Sequence, residues 1–147
     1  MKYLLDNDHL SVFQKSTGQD YANLSARMDK IPISEFAISI VTIHEQFLGS
    51  NTYISRAQSS QDLVRGYEFM NKLVRSFKLI PVLGFDELAA TTFQDFQSRR
   101  IKLATMDLRI ASIAISQQLI LLTRNRKDFV KVPEELTIED WTDSMSS

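Results

Sequence analysis

The chain of 147 residues contains no cysteine, which excludes disulfide bonds and zinc sites built from thiolates. It has only four glycines, and neither the glycine-rich phosphate loop nor the dinucleotide-binding fingerprint occurs. No apolar run approaches the roughly 20 residues that a membrane-spanning helix needs, and Asp6 interrupts the N-terminus before the apolar part of a signal peptide could form. We therefore expect a protein of the cytoplasm without membrane contact.

Two familiar catalytic patterns are also missing. The G-x-S-x-G elbow of serine hydrolases does not occur. His44 and Glu45 begin an H-E-x-x-H zinc motif, but position 48 is leucine. The other histidine, His9, follows Asp8 at the start of a predicted helix, where we expect it at the surface or half-buried. Neither histidine is a predicted catalytic residue.

The composition is 44% hydrophobic and 24% charged, which predicts one domain over residues 1–141 and a short C-terminal tail at 142–147. The net charge of -1 argues against a protein that binds polyanions over its whole surface. Residues 99–131, however, hold eight basic residues and two acids, a local net charge of +6. This basic segment could hold a phosphate backbone, or it could be an ordinary solvated helix end and loop.

Apolar runs and helical spacings alternate along the chain. Strands are predicted at residues 2–5, 36–40, 78–83, 119–122 and 136–139, and helices at 9–15, 20–30, 42–56, 61–77, 86–99 and 106–118. Asp8 and Asp86 are predicted helix caps, and Thr42 with Glu45 forms a capping-box pattern. Alternation of this kind is typical of parallel strands joined by right-handed crossovers, so we expect an α/β sandwich.

Four polar residues fall where such a fold collects side chains at one edge of its sheet. Asp6 and Asn125 follow two predicted strands, and Glu45 and Asp107 lie in the first turns of predicted helices at the same edge. Ligands of open α/β sheets bind beyond the carboxyl ends of the strands. The sequence therefore predicts a site at this edge.

A metal site competes with a structural explanation for each acid. Glu45 and Asp107 could simply interact favourably with helix N-termini. Asp6, at the end of a central apolar strand, needs a partner or a cation. Like charges about 4 Å apart repel by about 4 kcal/mol at an effective dielectric of about 20, and a cation would relieve this. Oxygen ligands favour magnesium, or manganese, over zinc.

Four sequence blocks, in order, resemble the motifs of PIN-domain proteins, especially the VapC-type toxin ribonucleases. They are residues 4–11 (LLDNDHLS), 43–49 (IHEQFLG), 105–111 (TMDLRIA) and 122–129 (LTRNRKDF). The resemblance covers residues 2–141. It implies a parallel sheet of about five strands between helices, magnesium-dependent RNA cleavage, a homodimer, and neutralisation by a small antitoxin of VapB type.

The resemblance also implies roles for individual residues. Asp6, Glu45 and Asp107 would be the metal ligands, with Asn125 or Asp128 in the place of the fourth acid that many relatives carry. Asn7 replaces the threonine often found after the first aspartate. From their position in the basic segment, Arg124 and Arg126 are candidates for binding the RNA backbone.

Two other functions are compatible with these residues. A receiver-like phosphoacceptor domain also gathers acids at strand ends, including Asp6 and Asp8, but the expected lysine after a late strand is missing. A non-catalytic RNA-binding or interaction module on the same fold would keep the basic segment and need no metal. The retention of all three carboxylates favours the nuclease.

Overall fold

A five-stranded parallel sheet forms the centre of the protein, of which a computed structural model describes residues 1–132 and 135–144. The strands are β1 (Tyr3–Leu5), β2 (Phe36–Ser39), β3 (Val82–Leu83), β4 (Ile120–Leu122) and β5 (Ile138–Glu139). They lie in the order β3-β2-β1-β4-β5, and each pairing is parallel. The predicted α/β sandwich with a parallel sheet is confirmed.

Helices cover both faces of the sheet. They are α1 (Asn7–Lys15), α2 (Gln19–Met28), α3 (Ile40–Ser55), α4 (Ser60–Leu79), α5 (Glu87–Ser98), α6 (Thr105–Ser116) and α7 (Arg126–Phe129), with a 3-10 helix at Ile33–Glu35. Leu4 belongs to one apolar cluster with residues of α5 and α6, whereas Leu5 belongs to a second with residues of α1, α2 and α4. The alternation of side chains along β1 thus builds two cores.

Several predicted boundaries were wrong. Ser39 caps α3, because its hydroxyl accepts a hydrogen bond from Thr42 N at 2.9 Å, so Glu45 lies in the second turn and the capping box does not form. Asp6, rather than Asp8, caps α1. The predicted strand at 78–83 is only Val82–Leu83, because α4 continues to Leu79.

The register of the sheet brings three polar residues level. Leu5 pairs with Ile38 of β2 and with Leu122 of β4. The residues that follow these three positions are Asp6, Ser39 and Thr123, and all three are buried. The carboxyl edge of the sheet consequently begins with a buried polar row, where the sequence predicted a site.

The C-terminal part of the chain packs against the sheet. Trp141 is buried beside Tyr3 and Phe36, with ring centroids 4.7 and 5.9 Å away, and Thr142 is buried as well. Of the predicted tail, residues 145–147 lie outside the described residues. Within the described ranges, every helix is too short or too polar to cross a bilayer.

Gly66 sets how closely α4 approaches α3. A Cβ at this position would lie 2.5 Å from Ile54 Cγ1 and 3.2 Å from Tyr53 Cδ1. We expect Gly66→Ala to destabilise the protein, because overpacking costs about 1–3 kcal/mol and the better helix propensity of alanine returns only about 1 kcal/mol. Urea denaturation measures the difference.

Gly49 provides a matched control on α3. It is exposed in mid-helix, and a Cβ there would meet nothing within 4 Å. Gly49→Ala should therefore stabilise the protein by about 0.5–1 kcal/mol. If both variants shifted stability in the same direction, the close packing of α3 and α4 at Gly66 would not control stability.

Candidate functional site

Asp6 lies at the point where the central strand ends and α1 begins. Its side chain accepts hydrogen bonds from Asn7 N at 2.8 Å and from Thr123 Oγ1 at 2.8 Å, and only 5% of the residue is exposed. Burial, followed by the charge of Asp8, raises the pKa of Asp6 from 3.8 to about 6, although its two hydrogen bonds favour the ionised form. Asp6 is therefore a carboxylate held in place but short of compensating positive charge.

Asp8 is better satisfied than Asp6. Burial opposes its ionisation, but hydrogen bonds from His9 Nδ1 at 2.7 Å and Arg124 N at 2.9 Å outweigh it, so the pKa lies below its usual value. These bonds commit the Asp8 oxygens to the protein. Asp8 consequently fixes the loop after β4 against the start of α1.

His9 is fully buried, so the prediction of a surface or half-buried position was wrong. Its Nε2 accepts a hydrogen bond from Trp141 N at 3.0 Å, which places the ring proton on Nδ1, the atom that faces Asp8. His9 therefore joins α1 to the C-terminal segment. No sequence motif could have indicated this position, because the bond joins residues that only tertiary packing brings together.

Glu45 supplies the second carboxylate from α3. It is half-buried, and its Oε1 is buried without a hydrogen-bond partner among the described residues. Burial and then the charges of Asp6 and Asp107 raise the pKa of Glu45 from 4.5 to about 7. A buried oxygen that is left unpaired costs free energy, so this side chain is a ready acceptor for a donor or a cation.

Asp107 lies in the first turn of α6 and is also half-buried. Burial, then the charges of Asp128 and Asp8, raise the pKa of its carboxyl group. Asp128 therefore lies near enough to act on the site electrostatically. The Asn125 backbone N–H donates to Thr123 Oγ1 at 3.0 Å, while its side chain caps nothing at the start of α7.

The three carboxylates interact through their charges, but they are not arranged as the ligands of a metal ion. Asp6, Glu45 and Asp107 are coupled through their charges, yet no three His, Asp or Glu side chains of residues 1–132 and 135–144 are arranged so that they could hold a metal ion. The donors of the three side chains are all oxygens, and Glu45 Oε1 lacks any partner in these ranges. Such a set fits a hard divalent cation after side-chain rotation.

The two candidate RNA-binding arginines differ in how far they are engaged. Arg124 forms an ion pair with Asp20 and donates from Nε to Thr142 Oγ1 at 2.8 Å, so it holds the C-terminal segment against α2. Arg126 is exposed, and among the described residues its guanidinium donates only to the Ile138 carbonyl, at 3.4 Å. The guanidinium of Arg126 is therefore less engaged in hydrogen bonds than that of Arg124.

The raised pKa of Asp6 has a consequence for stability in metal-free solution. A carboxyl group that titrates near 6 when folded and near 4 when unfolded binds more protons in the folded state over that interval, so stability falls as pH rises through it. Asp6→Asn removes this penalty. With chelator present, we expect the stability advantage of Asp6→Asn over wild type to grow by on the order of 2–3 kcal/mol between about pH 4 and pH 7.

Thermal or urea denaturation of both proteins across this pH range measures the effect. Subtracting the two curves removes the titrations that both proteins share. The titration of Glu45 does not cancel completely, because the charge of Asp6 raises its pKa in the wild type. A difference that does not vary with pH would show that the Asp6 carboxyl group titrates normally in the folded protein.

Comparisons with protein-family models and with curated protein sequences found no match. Several solved structures do match, among them complexes named VapBC. For VapBC2 from Rickettsia felis bound to a promoter DNA fragment, the TM-score is 0.72 at 21% identity, covering 96% of this chain and 99% of that one. For VapBC-1 from nontypeable Haemophilus influenzae, the TM-score is 0.74 at 19% identity, covering 97% and 100%.

A third match is DNA-bound VapBC from Salmonella typhimurium, with a TM-score of 0.68 at 22% identity over 96% of this chain and 98% of that one. Each match spans nearly the full length of both aligned chains. At these identities the likeness establishes architecture. The chain has the fold of the VapBC chains that it matches, as the PIN-domain resemblance predicted.

Proposed function

We propose that this chain is a magnesium-dependent endoribonuclease and the toxin of a VapBC-type toxin–antitoxin pair. The observation that carries the proposal is the group of Asp6, Glu45 and Asp107 at the carboxyl edge of the sheet, each with a pKa raised by burial and by neighbouring acids. Strongly perturbed carboxylates at such an edge are typical of functional sites. The fold shared with VapBC structures supports the same function.

Asp6, Glu45 and Asp107 would hold the cation, with Asn125 or Asp128 completing the ligand set. A magnesium ion, or manganese, supplies activation of water and neutralisation of charge on the scissile phosphate. Thr123 positions Asp6 by donating to its Oδ2 at 2.8 Å. Asp8 holds the backbone of Arg124, and thereby keeps the loop that carries Asn125 against α1.

The partners follow from the same proposal. The substrate is RNA, reached from the exposed side of the basic segment through residues such as Arg126, whereas Arg124 contributes mainly by holding the C-terminal segment. Assembly with a small VapB-type antitoxin is inferred from the matched VapBC complexes. We also propose a homodimer and a place in the cytoplasm, where such a substrate is found.

The first test of the proposal is whether magnesium stabilises the folded protein. Binding to the native state alone adds about 2.7 kcal/mol when the free ion exceeds its Kd about a hundredfold. Asp107→Asn should reduce this stabilisation, whereas Asp95→Asn, an exposed acid paired with Arg99 on α5, should leave it intact. Melting temperatures of all three proteins with magnesium, manganese and chelator measure it.

Equal melting temperatures of the wild type in all three solutions would contradict a metal site. A shift of the same size in Asp107→Asn would instead show that a cation binds elsewhere. The Asp95→Asn control separates loss of a ligand from a general loss of negative charge.

The second test is cleavage itself. Asp6→Asn keeps the shape of the side chain and an acceptor for Thr123 Oγ1, but it removes the charge that would bind the cation. We expect a loss of at least about a hundredfold in cleavage rate, equivalent to about 2.7 kcal/mol in the barrier. The measurement uses a structured RNA pool in magnesium, with circular dichroism to verify folding and Asp95→Asn as the control. Full activity of Asp6→Asn would overturn the mechanism.

A further inference from the structure

A surface groove of about 300 Å³ runs between α1, α3 and α4 and opens beside the candidate metal site. Glu45 and Asn7 line its near end and Tyr53 and Phe69 line its far end, and Lys72 is part of the lining as well. Tyr53 follows Glu45 by eight residues in α3, which corresponds to about 12 Å along the helix axis. A chain bound at the carboxylates would therefore continue into this groove.

At the near end, a chain of side-chain amides fixes the orientation of Asn7. Ser76 Oγ donates to the Lys72 carbonyl at 2.9 Å, so it accepts from Gln14 Nε2 at 3.2 Å. The same Gln14 nitrogen donates to Gln46 Oε1 at 3.1 Å, and Gln46 Nε2 then donates to Asn7 Oδ1 at 2.7 Å. The direction of each bond follows from the one before it.

This chain of hydrogen bonds determines which hydrogen-bonding atoms the Asn7 side chain presents to the groove. Its Oδ1 is occupied as an acceptor, so its Nδ2 keeps two N–H donors, which have no partner among the described residues. They lie one residue after Asp6, at the edge of the carboxylate group. Asn7 is thus a fixed donor beside the candidate metal site, with a chemistry suited to an acceptor on a nucleotide.

The far end of the groove offers an aromatic surface. The rings of Tyr53 and Phe69 meet edge to face, with centroids 5.4 Å apart, and Phe69 is 44% exposed. Lys72 lies one turn further along α4 and is exposed. Proteins that bind single-stranded nucleic acids combine exposed aromatic rings, which stack on bases, with lysines, which contact phosphates.

We propose that this groove binds the nucleotides of a single-stranded RNA next to the scissile phosphate, a proposal that rests on the function proposed above. Phe69, supported by Tyr53, stacks on a base, and Lys72 contacts a phosphate. Asn7, oriented by Gln46, donates to an acceptor on the base nearest the cut and so selects which base is accepted there. A groove that binds a peptide would need apolar pockets or a free strand edge. The near end of this groove is formed by amide donors and a carboxylate instead.

Binding without cleavage tests the aromatic end. Fluorescence anisotropy of a labelled single-stranded oligouridylate, in buffer with chelator so that magnesium-dependent cleavage cannot occur, gives the affinity. We expect Phe69→Ala to weaken binding roughly 5- to 150-fold, which is the effect of losing one stacked base. Tyr67→Ala removes a comparably exposed ring of α4 that lies outside the groove, and it should bind like wild type. Lys72→Ala and Lys78→Ala form a second matched pair of exposed lysines on α4.

Sequencing of cleavage products from a random single-stranded RNA pool tests the amide end. Asn7→Ala and Gln46→Met should alter the base preference next to the cut, while the magnesium-dependent shift in melting temperature is retained. Asn71→Ala, an exposed amide on α4 outside the groove, should keep the wild-type preference. Because Gln46→Met leaves Asn7 itself in place, a change in this variant would come from the lost orientation of the amide.

The outcomes distinguish failure of the groove proposal from failure of the proposed function. If wild type fails to cleave RNA in magnesium, the nuclease proposal fails, and the anisotropy pairs still decide whether RNA occupies the groove. If wild type cleaves but Phe69→Ala binds like Tyr67→Ala, the groove proposal alone is overturned. An unchanged base preference in both Asn7→Ala and Gln46→Met would overturn the selecting role of Asn7.

Discussion

Burial of the Asp6 carboxylate at the end of the central strand is the constraint on which the candidate site depends. The parallel register leaves Asp6 level with Ser39 and Thr123, away from solvent. Two hydrogen bonds favour its charge, but burial and the neighbouring acids outweigh them and raise its pKa to about 6. The fold thus maintains an electrostatically unfavourable group, which is typical of sites that bind a charged ligand.

The C-terminal segment secures this edge of the sheet from outside. His9, Asn23 and Arg27 each bond to backbone atoms of residues 140–142, while Arg124 reaches Thr142 from the loop after β4. These contacts also explain the low pKa of Asp8, because the His9 N–H and the Arg124 backbone N–H both point at its carboxylate. Arg124, which the sequence indicated as a candidate for RNA contact, therefore serves together with His9 to position the site.

The sequence predicted the layers and the carboxyl edge well, because apolar strands and acids at their ends follow from local pattern alone. It failed where a competing local interaction decided the outcome. Ser39 caps α3 in place of the capping box predicted for Thr42 and Glu45, and α4 extends into residues that were predicted to form a strand. It also could not place His9, since its burial depends on Trp141, which is 132 residues away. The chain of amides from Ser76 to Asn7 likewise joins residues that only tertiary packing brings together.

Under the proposed function, protons and the cation would compete for the three carboxylates. At neutral pH a group with a pKa of about 7, as at Glu45, is about half protonated, whereas Asp6 with a pKa of about 6 is mostly ionised. A divalent cation that recruits both must release part of a proton, so its apparent affinity increases with pH. The same cation would give the unpaired Glu45 Oε1 a partner and remove the repulsion that separates the side chains. Under the proposed function, convergence of the ligands and binding of the cation would therefore be one coupled event.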